Sequence, residues 1–218
     1  MKVRDVPSSG SYQGLTHSRN RYGQYVRSRA TPVNPNTTFQ GAQRANLSGR
    51  SAEWRALTST QRASWDSLAA MMSRTDALGQ GYTLNGFLAY VSVNSNNQAA
   101  GNAVVSTAPA IVTPSPPLTA VVTLTAAAFS VAYTATPLAA GQRLFTFVSP
   151  QRSAGRNFEG DYRLIAVSAA AAASPANIFA AYQARLGTPA VGNRIFMRLE
   201  IYQSGFLSGP LSLSQIVA

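Results

Sequence analysis

The chain has 218 residues and a formal net charge of +11, yet only 11% of its residues are charged, well below the quarter that is usual in globular domains. It contains no cysteine, which excludes disulfides and thiolate metal sites. The first seven residues lack an apolar signal core, and threonine and serine interrupt the apolar stretch 118–133 before it reaches membrane-spanning length. We therefore expect a protein made in the cytoplasm, whose many small polar residues suit packing against partners or copies of itself.

The positive charge is concentrated near the N-terminus. Residues 1–50 carry eight basic side chains and one acid, Asp5, whereas positive and negative side chains balance in 51–100. A guanidinium group pairs in a bidentate manner with carboxylate or phosphate and stacks on aromatic rings. We therefore predict that the arginines and tyrosines of the segment 18–29 dock on a partner. These predicted docking residues are Arg19, Arg21, Tyr22, Tyr25, Arg27 and Arg29.

Two conformations are open for the basic arm, residues 1–33. As one extended strand, its side chains alternate between two faces, and the four arginines share one face with Tyr25. As a hairpin with Tyr22 and Gly23 in its loop and Arg21 opposite Gln24, the arm divides its arginines between both faces. Because the arm has little capacity for an apolar core, we expect it to become ordered when its arginines meet a partner.

Three helices are predicted in residues 34–99, a small helical docking domain. Asn34 before Pro35 is a good helix start, so the first helix is expected from about 35 toward 57, with a break near Ser48 and Gly49. Thr58 and Gln61 form a capping box that opens the second helix. A third helix is expected over about 84–97.

Trp54 and Trp65 are the only two tryptophans of the chain. Trp65 recurs with Leu68 and Met72 at helical spacing. We predict that both tryptophans belong to the helical core and join the first two helices.

The second half of the chain has a different organisation. Residues 100–117 contain four prolines and are predicted to be an extended linker. From 118 the apolar pattern has period two, with turn residues between the runs, which is typical of an antiparallel β-sandwich. Strands are predicted over 118–125, 129–134, 143–149, 162–168, 194–202 and 213–217, with a short helix from Ser174 to about Arg185.

The fold class predicted from these elements is α+β, with an arm, a helical unit and a C-terminal sandwich, 118–218. In the strand 194–202 the residues Ile195, Met197, Leu199 and Ile201 form one face that we expect to be buried. The alternate residues, among them Arg198, Glu200 and Tyr202, are expected to face water.

Groups able to carry catalysis are few. The single histidine, His17, lies in the arm, and the single lysine is Lys2, so neither a His/Cys metal cluster nor a lysine-bearing phosphate loop is expected. Glu159 and Asp161 could bind a cation or act as a glycosidase pair. Their arginine neighbours favour ordinary ion pairs. We expect no enzyme and no cofactor.

Two parts of the chain resemble known families. Residues 14–97 are similar to a family of uncharacterised bacteriophage proteins through Ser18–Arg27 (SRNRYGQYVR), 32–35 (PVNP), Trp54, Leu57, Gln61-Arg62, Trp65 and 84–87 (LNGF). The C-terminal part resembles a fibronectin type III sandwich through Gly192–Leu199, Gly205 and 209–212 (GPLS). The resemblances imply a virion component, such as a capsid decoration or cement protein or a head-tail or tail accessory protein.

Three functions are compatible with these features of the sequence. The first is a structural component of a phage particle that docks on capsid, portal or tail subunits and on copies of itself through the arm and the helices. The second is a nucleic-acid-binding protein that uses the arginines and tyrosines of the arm. The third is a carbohydrate-binding adhesion module with Phe158, Tyr162 or Tyr202 as platforms for sugar rings.

Overall fold

A computed structural model describes residues 9–20, 23–31, 33–75 and 79–218. The chain forms two compact units, Met1–Arg44 and Ala45–Ala218. It combines helices with antiparallel sheets, which confirms the α+β class. No helix within the described ranges is both long and apolar enough to cross a membrane. The helices are α1 (Thr38–Ala56), α2 (Ser59–Met71), α3 (Gly86–Ala99) and α4 (Phe179–Leu186).

The strands are, in chain order, β1 (Gly10–Tyr12), β2 (Leu15–Asn20), β3 (Gly23–Ser28), β4 (Ser73–Thr75), β5 (Gly81–Thr83), β6 (Thr119–Leu124), β7 (Phe129–Thr134), β8 (Arg143–Val148), β9 (Arg163–Val167), β10 (Ala176–Asn177), β11 (Arg194–Gln203), β12 (Phe206–Leu207) and β13 (Leu211–Ile216). Six of the strands, β6, β7, β8, β9, β11 and β13, lie at the predicted period-two runs, whereas β4, β5, β10 and β12 are not predicted from the sequence.

The unit Met1–Arg44 contains an antiparallel meander in which β2 pairs with both β1 and β3. The hairpin is therefore the conformation found, and the single extended strand is wrong. Its register pairs Arg19 with Gln24, so the predicted pairing of Arg21 with Gln24 is also wrong. Because side chains alternate along a strand, Arg19 and Arg27 lie on opposite faces, so these two described arginines of the sheet do not share one basic face.

Helix α2 begins where the sequence predicts. The backbone N–H of Gln61 donates to the Thr58 hydroxyl over 3.2 Å, and the Thr58 N–H donates to Gln61 Oε1 over 2.9 Å. Thr37 and Gln40 make the same reciprocal bonds, each of 3.2 Å. Helix α1 therefore begins after Thr37 instead of at Pro35, because this capping box satisfies two helix donors. It also continues through Ser48 and Gly49 without the predicted break.

An aromatic cluster forms the core of the helical part. Trp65 is fully buried, and its ring meets that of Tyr90 edge-on at 5.2 Å. Trp54 is partly buried and lies 5.6 Å from the other side of Tyr90 and 5.8 Å from Phe87. The two tryptophans therefore meet through a tyrosine of α3.

Two sheets make up most of the C-terminal part. One has the order β10-β7-β6; in the other the order is β12-β11-β8-β9, and β13 pairs with β11. Both sheets contribute to one apolar core, with Val131 and Tyr133 from the first and Ile195, Met197 and Leu199 from the second. The predicted buried face of β11 is therefore correct.

The short helix in this part begins later than predicted. Ser174 does not cap it, because its Oγ accepts the backbone N–H of Tyr133 over 2.9 Å. The next residues form β10, and α4 begins at Phe179 without a side-chain cap. Burial holds α4 in place instead, since Tyr182 is fully buried and packs edge-on against Phe129 at 5.3 Å.

Residues 101–118 contain neither helix nor strand, but they are fixed to the helices. The indole N–H of Trp65 donates to the Ser106 carbonyl over 2.8 Å. The Asn94 amide donates to the Val105 carbonyl and accepts the Val105 N–H, over 3.1 and 2.8 Å. The segment that the sequence predicts as a linker is thus bonded to α2 and α3, and it lies with the helices and both sheets in the unit Ala45–Ala218.

Candidate functional site

The predicted docking residues lie in the unit Met1–Arg44. Arg19, Arg27 and Arg29 are exposed, and Tyr25 is half-buried. Arg21 and Tyr22 lie outside the described residues. The three exposed arginines make no ion pair with any residue that the structure describes. The sequence holds no acid between Asp5 and Glu53, so the local chain offers them no carboxylate.

The described carboxylates of the unit Ala45–Ala218 already have partners in the chain. Glu53 lies 3.0 Å from Arg50 and accepts the Tyr90 hydroxyl over 2.9 Å. Asp66 accepts the N–H of Gly86 over 3.1 Å. Glu159, Asp161 and Glu200 are ion-paired with arginines. A second copy of this unit would therefore offer an arginine of the arm described carboxylates that already share their oxygens with groups of their own chain.

The Glu159–Asp161 loop contains a network of ion pairs, as the favoured interpretation of the sequence expects. Glu159 binds Arg152 and lies 3.5 Å from Arg156, while Asp161 lies 3.3 Å from Arg163. The backbone N–H groups of residues 160 and 161 each donate to Glu159 Oε1 over 2.9 Å. The bond from Arg152 and these backbone donors lower the pKa of Glu159 to about 2.

Glu159 and Asp161 are not joined by a further metal-ligating side chain among the described residues. Among the described residues no three His, Cys, Asp or Glu side chains come together in a way that could hold a metal ion. Glu159 is instead surrounded by guanidinium and backbone donors, whereas Asp161 is partly exposed beside Arg163.

The sequence predicts that the second face of β11 is exposed to water, and this prediction is wrong. Tyr202, Phe196 and Glu200 are all buried. The ring of Tyr202 stacks on Phe145 at 5.4 Å. Its hydroxyl donates to Asn97 of α3 over 2.7 Å and accepts the Asn102 amide over 2.8 Å. The end of α3 thus covers this end of the sheet, so Tyr202 cannot serve as a platform for a sugar.

Glu200 is buried, and Arg198 is its one ion-pair partner among the residues that the structure describes. Its Oε1 lies 2.8 Å from Arg198 Nε, two residues away on the same face of β11. Burial raises the pKa of the Glu200 carboxyl, and the Arg198 charge only partly offsets this. A carboxyl with a perturbed pKa in a hollow is a typical feature of a functional site.

Two hollows meet at Arg198 on the part of the outer face that remains open. The larger, of about 660 Å³, lies between the helices and the sheet, with Arg74, Asn96, Glu200 and Ser208 in its lining. The smaller, of about 450 Å³, lies beside the Glu159 loop. Its lining includes Asn157, Phe158, Tyr162, Phe196, Ser212 and Ser214. Both volumes fall in the range of small-ligand sites.

Phe158 and Tyr162 of the smaller hollow are predicted from the sequence as platforms for sugar rings, whereas Arg198 and Glu200 are predicted only as strand residues that face water. The sequence feature that could indicate Arg198 and Glu200 as site residues is a pair of opposite charges at positions i and i+2 of a strand whose other face is wholly apolar. No protein-family model, curated protein or solved structure matches the chain.

Proposed function

We propose that the chain is a structural component of a bacteriophage particle and resides in the virion. In this proposal the unit Met1–Arg44 docks on a capsid, portal or tail subunit, and the C-terminal part projects from it. One observation carries the proposal: exposed arginines lie in a stretch of sequence without acids, while the described carboxylates elsewhere are already engaged.

The charge distribution favours an acidic partner over a second copy at the arm. Arg19, Arg27 and Arg29 can each make a bidentate pair with a carboxylate. A neighbouring copy offers few carboxylates that are not already bound, whereas a different subunit with an acidic surface offers them at no such cost. Arginine and tyrosine are also the residues that most often anchor protein interfaces.

The strand order supports a sandwich of the fibronectin type III or immunoglobulin kind as the projecting part. β6, β7 and β10 share one sheet, while β8, β9, β11 and β13 belong to the other. Strands A, B and E lie apart from C, F and G in the same way in immunoglobulin-like folds. Modules of this kind serve particles as decoration or adhesive units, and this role requires no catalytic group.

Incorporation into particles tests the proposal. The full chain and a variant without residues 1–33 are supplied to cells that produce the phage, and purified particles are probed for each by mass spectrometry. We expect the truncated chain to be absent from particles although it folds, as judged by circular dichroism. Normal incorporation of the truncated chain would contradict the proposal.

A pair of double variants separates the arm from general positive charge. R27Q with R29Q removes two exposed arginines of the arm, and R55Q with R74Q removes two exposed arginines of the other unit. We expect only the first pair to reduce incorporation. A shift assay with DNA at about 50–100 mM salt, where phosphate contacts are strong, tests whether the arm binds nucleic acid. Tight DNA binding that R27Q with R29Q abolishes would indicate that the partner of the arm is nucleic acid and not a protein.

A further inference from the structure

Arg198 is held in a fixed position on the outer sheet face. Its Nε lies 2.8 Å from Glu200 Oε1. Its guanidinium carbon lies 5.1 Å from the centre of the Phe147 ring and 5.6 Å from that of Tyr162, so aromatic rings hold the group by cation–π contact. An arginine held in this way loses little conformational entropy when it binds a ligand.

The terminal N–H groups of the Arg198 guanidinium remain able to bind a ligand. Its side chain is 38% exposed, and only its Nε is buried. The two terminal nitrogens donate to no residue that the structure describes, and Arg198 lines both hollows. With Nε beside Glu200, the remaining pair of N–H groups has the fork geometry that matches a carboxylate.

The walls of the smaller hollow offer contacts of other kinds. Phe158 is 78% exposed at its rim, although single exposed rings are common on protein surfaces. Here the ring shares the hollow with Tyr162, the hydroxyls of Ser212 and Ser214 and the Asn157 amide. Aromatic faces suit the C–H faces of sugar rings, and hydroxyls and amides suit sugar hydroxyls.

We propose that this hollow binds an acidic saccharide, with the ligand carboxylate on Arg198 and a sugar ring against Phe158. The charged residues that line the hollow are Arg198 and Glu159. Glu159 is already paired with Arg152 and Arg156, so Arg198 is the group that a ligand carboxylate can meet. The volume of about 450 Å³ suits one or two sugar rings. The hollow belongs to the unit Ala45–Ala218 and the docking residues of the arm belong to the unit Met1–Arg44, and the test of the hollow is independent of the proposed role in a particle.

Calorimetric titration of the full chain with three acidic probes tests the proposal: trigalacturonate, a hyaluronan tetrasaccharide and sialyllactose. Maltotriose is the neutral control. We expect saturable binding of at least one acidic probe and none of maltotriose. No binding of any acidic probe up to about 10 mM, a weak limit for a specific site, overturns the proposal, as does equal binding of maltotriose.

Variants locate the site. We expect F158A to weaken binding at least tenfold, because the exposed ring packs against the sugar and not against the core. R198K keeps the charge but loses the fork, and we expect a similar loss. Y12A removes an exposed ring of the other unit and should leave binding unchanged. If F158A binds as tightly as the unaltered chain, the assignment is wrong, and this variant decides the matter even if R198K fails to fold.

Two further measurements separate this site from the arm and from general anion binding. The chain without residues 1–33 should bind the acidic probe with unchanged affinity, whereas loss of binding would place the saccharide on the arm. Inorganic phosphate should not compete at equal concentration, and competition at that level would reduce the site to a general anion site and overturn the proposal.

Discussion

Glu159 and Glu200 are equally inaccessible to water, at 5% exposed each, yet their pKa values shift in opposite directions. The pKa of Glu159 is lowered to about 2, whereas that of Glu200 is raised. Glu159 binds two arginines and accepts two backbone N–H groups. In the described part of the chain, Glu200 is paired with Arg198 and with no second arginine. At Glu159 the bonds from Arg152 and the backbone outweigh desolvation, whereas at Glu200 desolvation by burial outweighs the attraction of Arg198.

The depth of the two sites differs as well. Glu159 is covered by the loop that it organises, close to the surface. Glu200 lies on the sheet under the turn between β11 and β12 and beside α3. The first carboxylate has exchanged water for a set of fixed donors, and the second has lost water without full replacement. The first site stabilises a loop, and the second leaves polar groups facing a hollow.

The largest expected effect comes from Gly205→Ala, which should change the Glu200 site and leave the Glu159 loop intact. Gly205 has φ +90° and lies where a Cβ would overlap Val93 of α3. We expect the free energy of unfolding in urea to fall by about 3 kcal/mol, from backbone strain and overpacking together. The pKa of Glu200, followed by carboxyl carbon NMR, should move toward its ordinary value as α3 is displaced.

Gly155→Ala is the matched control for this change. A Cβ at Gly155 meets nothing within 4 Å, so we expect a change below about 0.5 kcal/mol. A Gly205→Ala chain with unaltered stability and an unaltered Glu200 pKa would show that α3 does not determine the surroundings of Glu200.

Removing the charge of Glu159 and removing that of Glu200 should change the free energy of unfolding by different amounts. Glu159→Gln loses its pairing with Arg152 and Arg156, and we expect the free energy of unfolding to fall by about 2 kcal/mol. Glu200→Gln removes a poorly solvated charge, and its partner Arg198 is partly exposed, so we expect a change within about 1 kcal/mol in either direction. Urea titrations at pH 7 measure both, and equal losses would remove the contrast between the sites.

The pH dependence of stability should have opposite signs at the two sites. Because the folded-state pKa of Glu159 is lowered, its contribution is present above about pH 4.5 and is lost as the pH falls toward about 2. Because that of Glu200 is raised, its contribution is present below about pH 4.5 and is lost as the pH rises through the raised value. The difference in stability between the unaltered chain and each Gln variant, measured from pH 2 to 8, gives the two trends.

The smallest effect is expected from the outer arginines of the loop. Arg156 and Arg163 have equally exposed side chains, at 44%, and water screens pairs of this kind. We expect Arg156→Gln and Arg163→Gln each to cost less than about 1 kcal/mol. Only Arg156→Gln should raise the Glu159 pKa, which carboxyl NMR would detect. An equal rise in both variants would mean that the pKa depends on the total positive charge of the loop and not on the contact between Arg156 and Glu159.

The sequence predicts elements well where a local pattern determines them. The bonds between Thr58 and Gln61 start α2, and the alternation in 129–134 coincides with β7. The start of α1 was missed because Asn34-Pro35 and Thr37–Gln40 are competing start signals three residues apart. The register of β2 and β3 was missed because both strands are polar on both faces, and such strands specify register weakly.

The candidate site could be predicted only in part. Alternation along β11 shows that its two faces differ, but it does not show what covers the second face. That cover comes from Asn97 and Asn102, about a hundred positions earlier in the chain than Tyr202. Arg198 and Glu200 therefore have the pattern of ordinary solvated strand residues, and only the packing of α3 and the β11–β12 turn shows one of them to be buried.

The bonds from Trp65 and Asn94 to residues 105 and 106 have a consequence for anyone who wishes to transplant parts of this molecule. A cut at either end of that irregular stretch would separate Phe206 from the core around Trp65 and Tyr90, and Ala100 from Phe145 and Tyr202. We therefore expect that Ala45–Ala218 must be transferred to another scaffold as one piece.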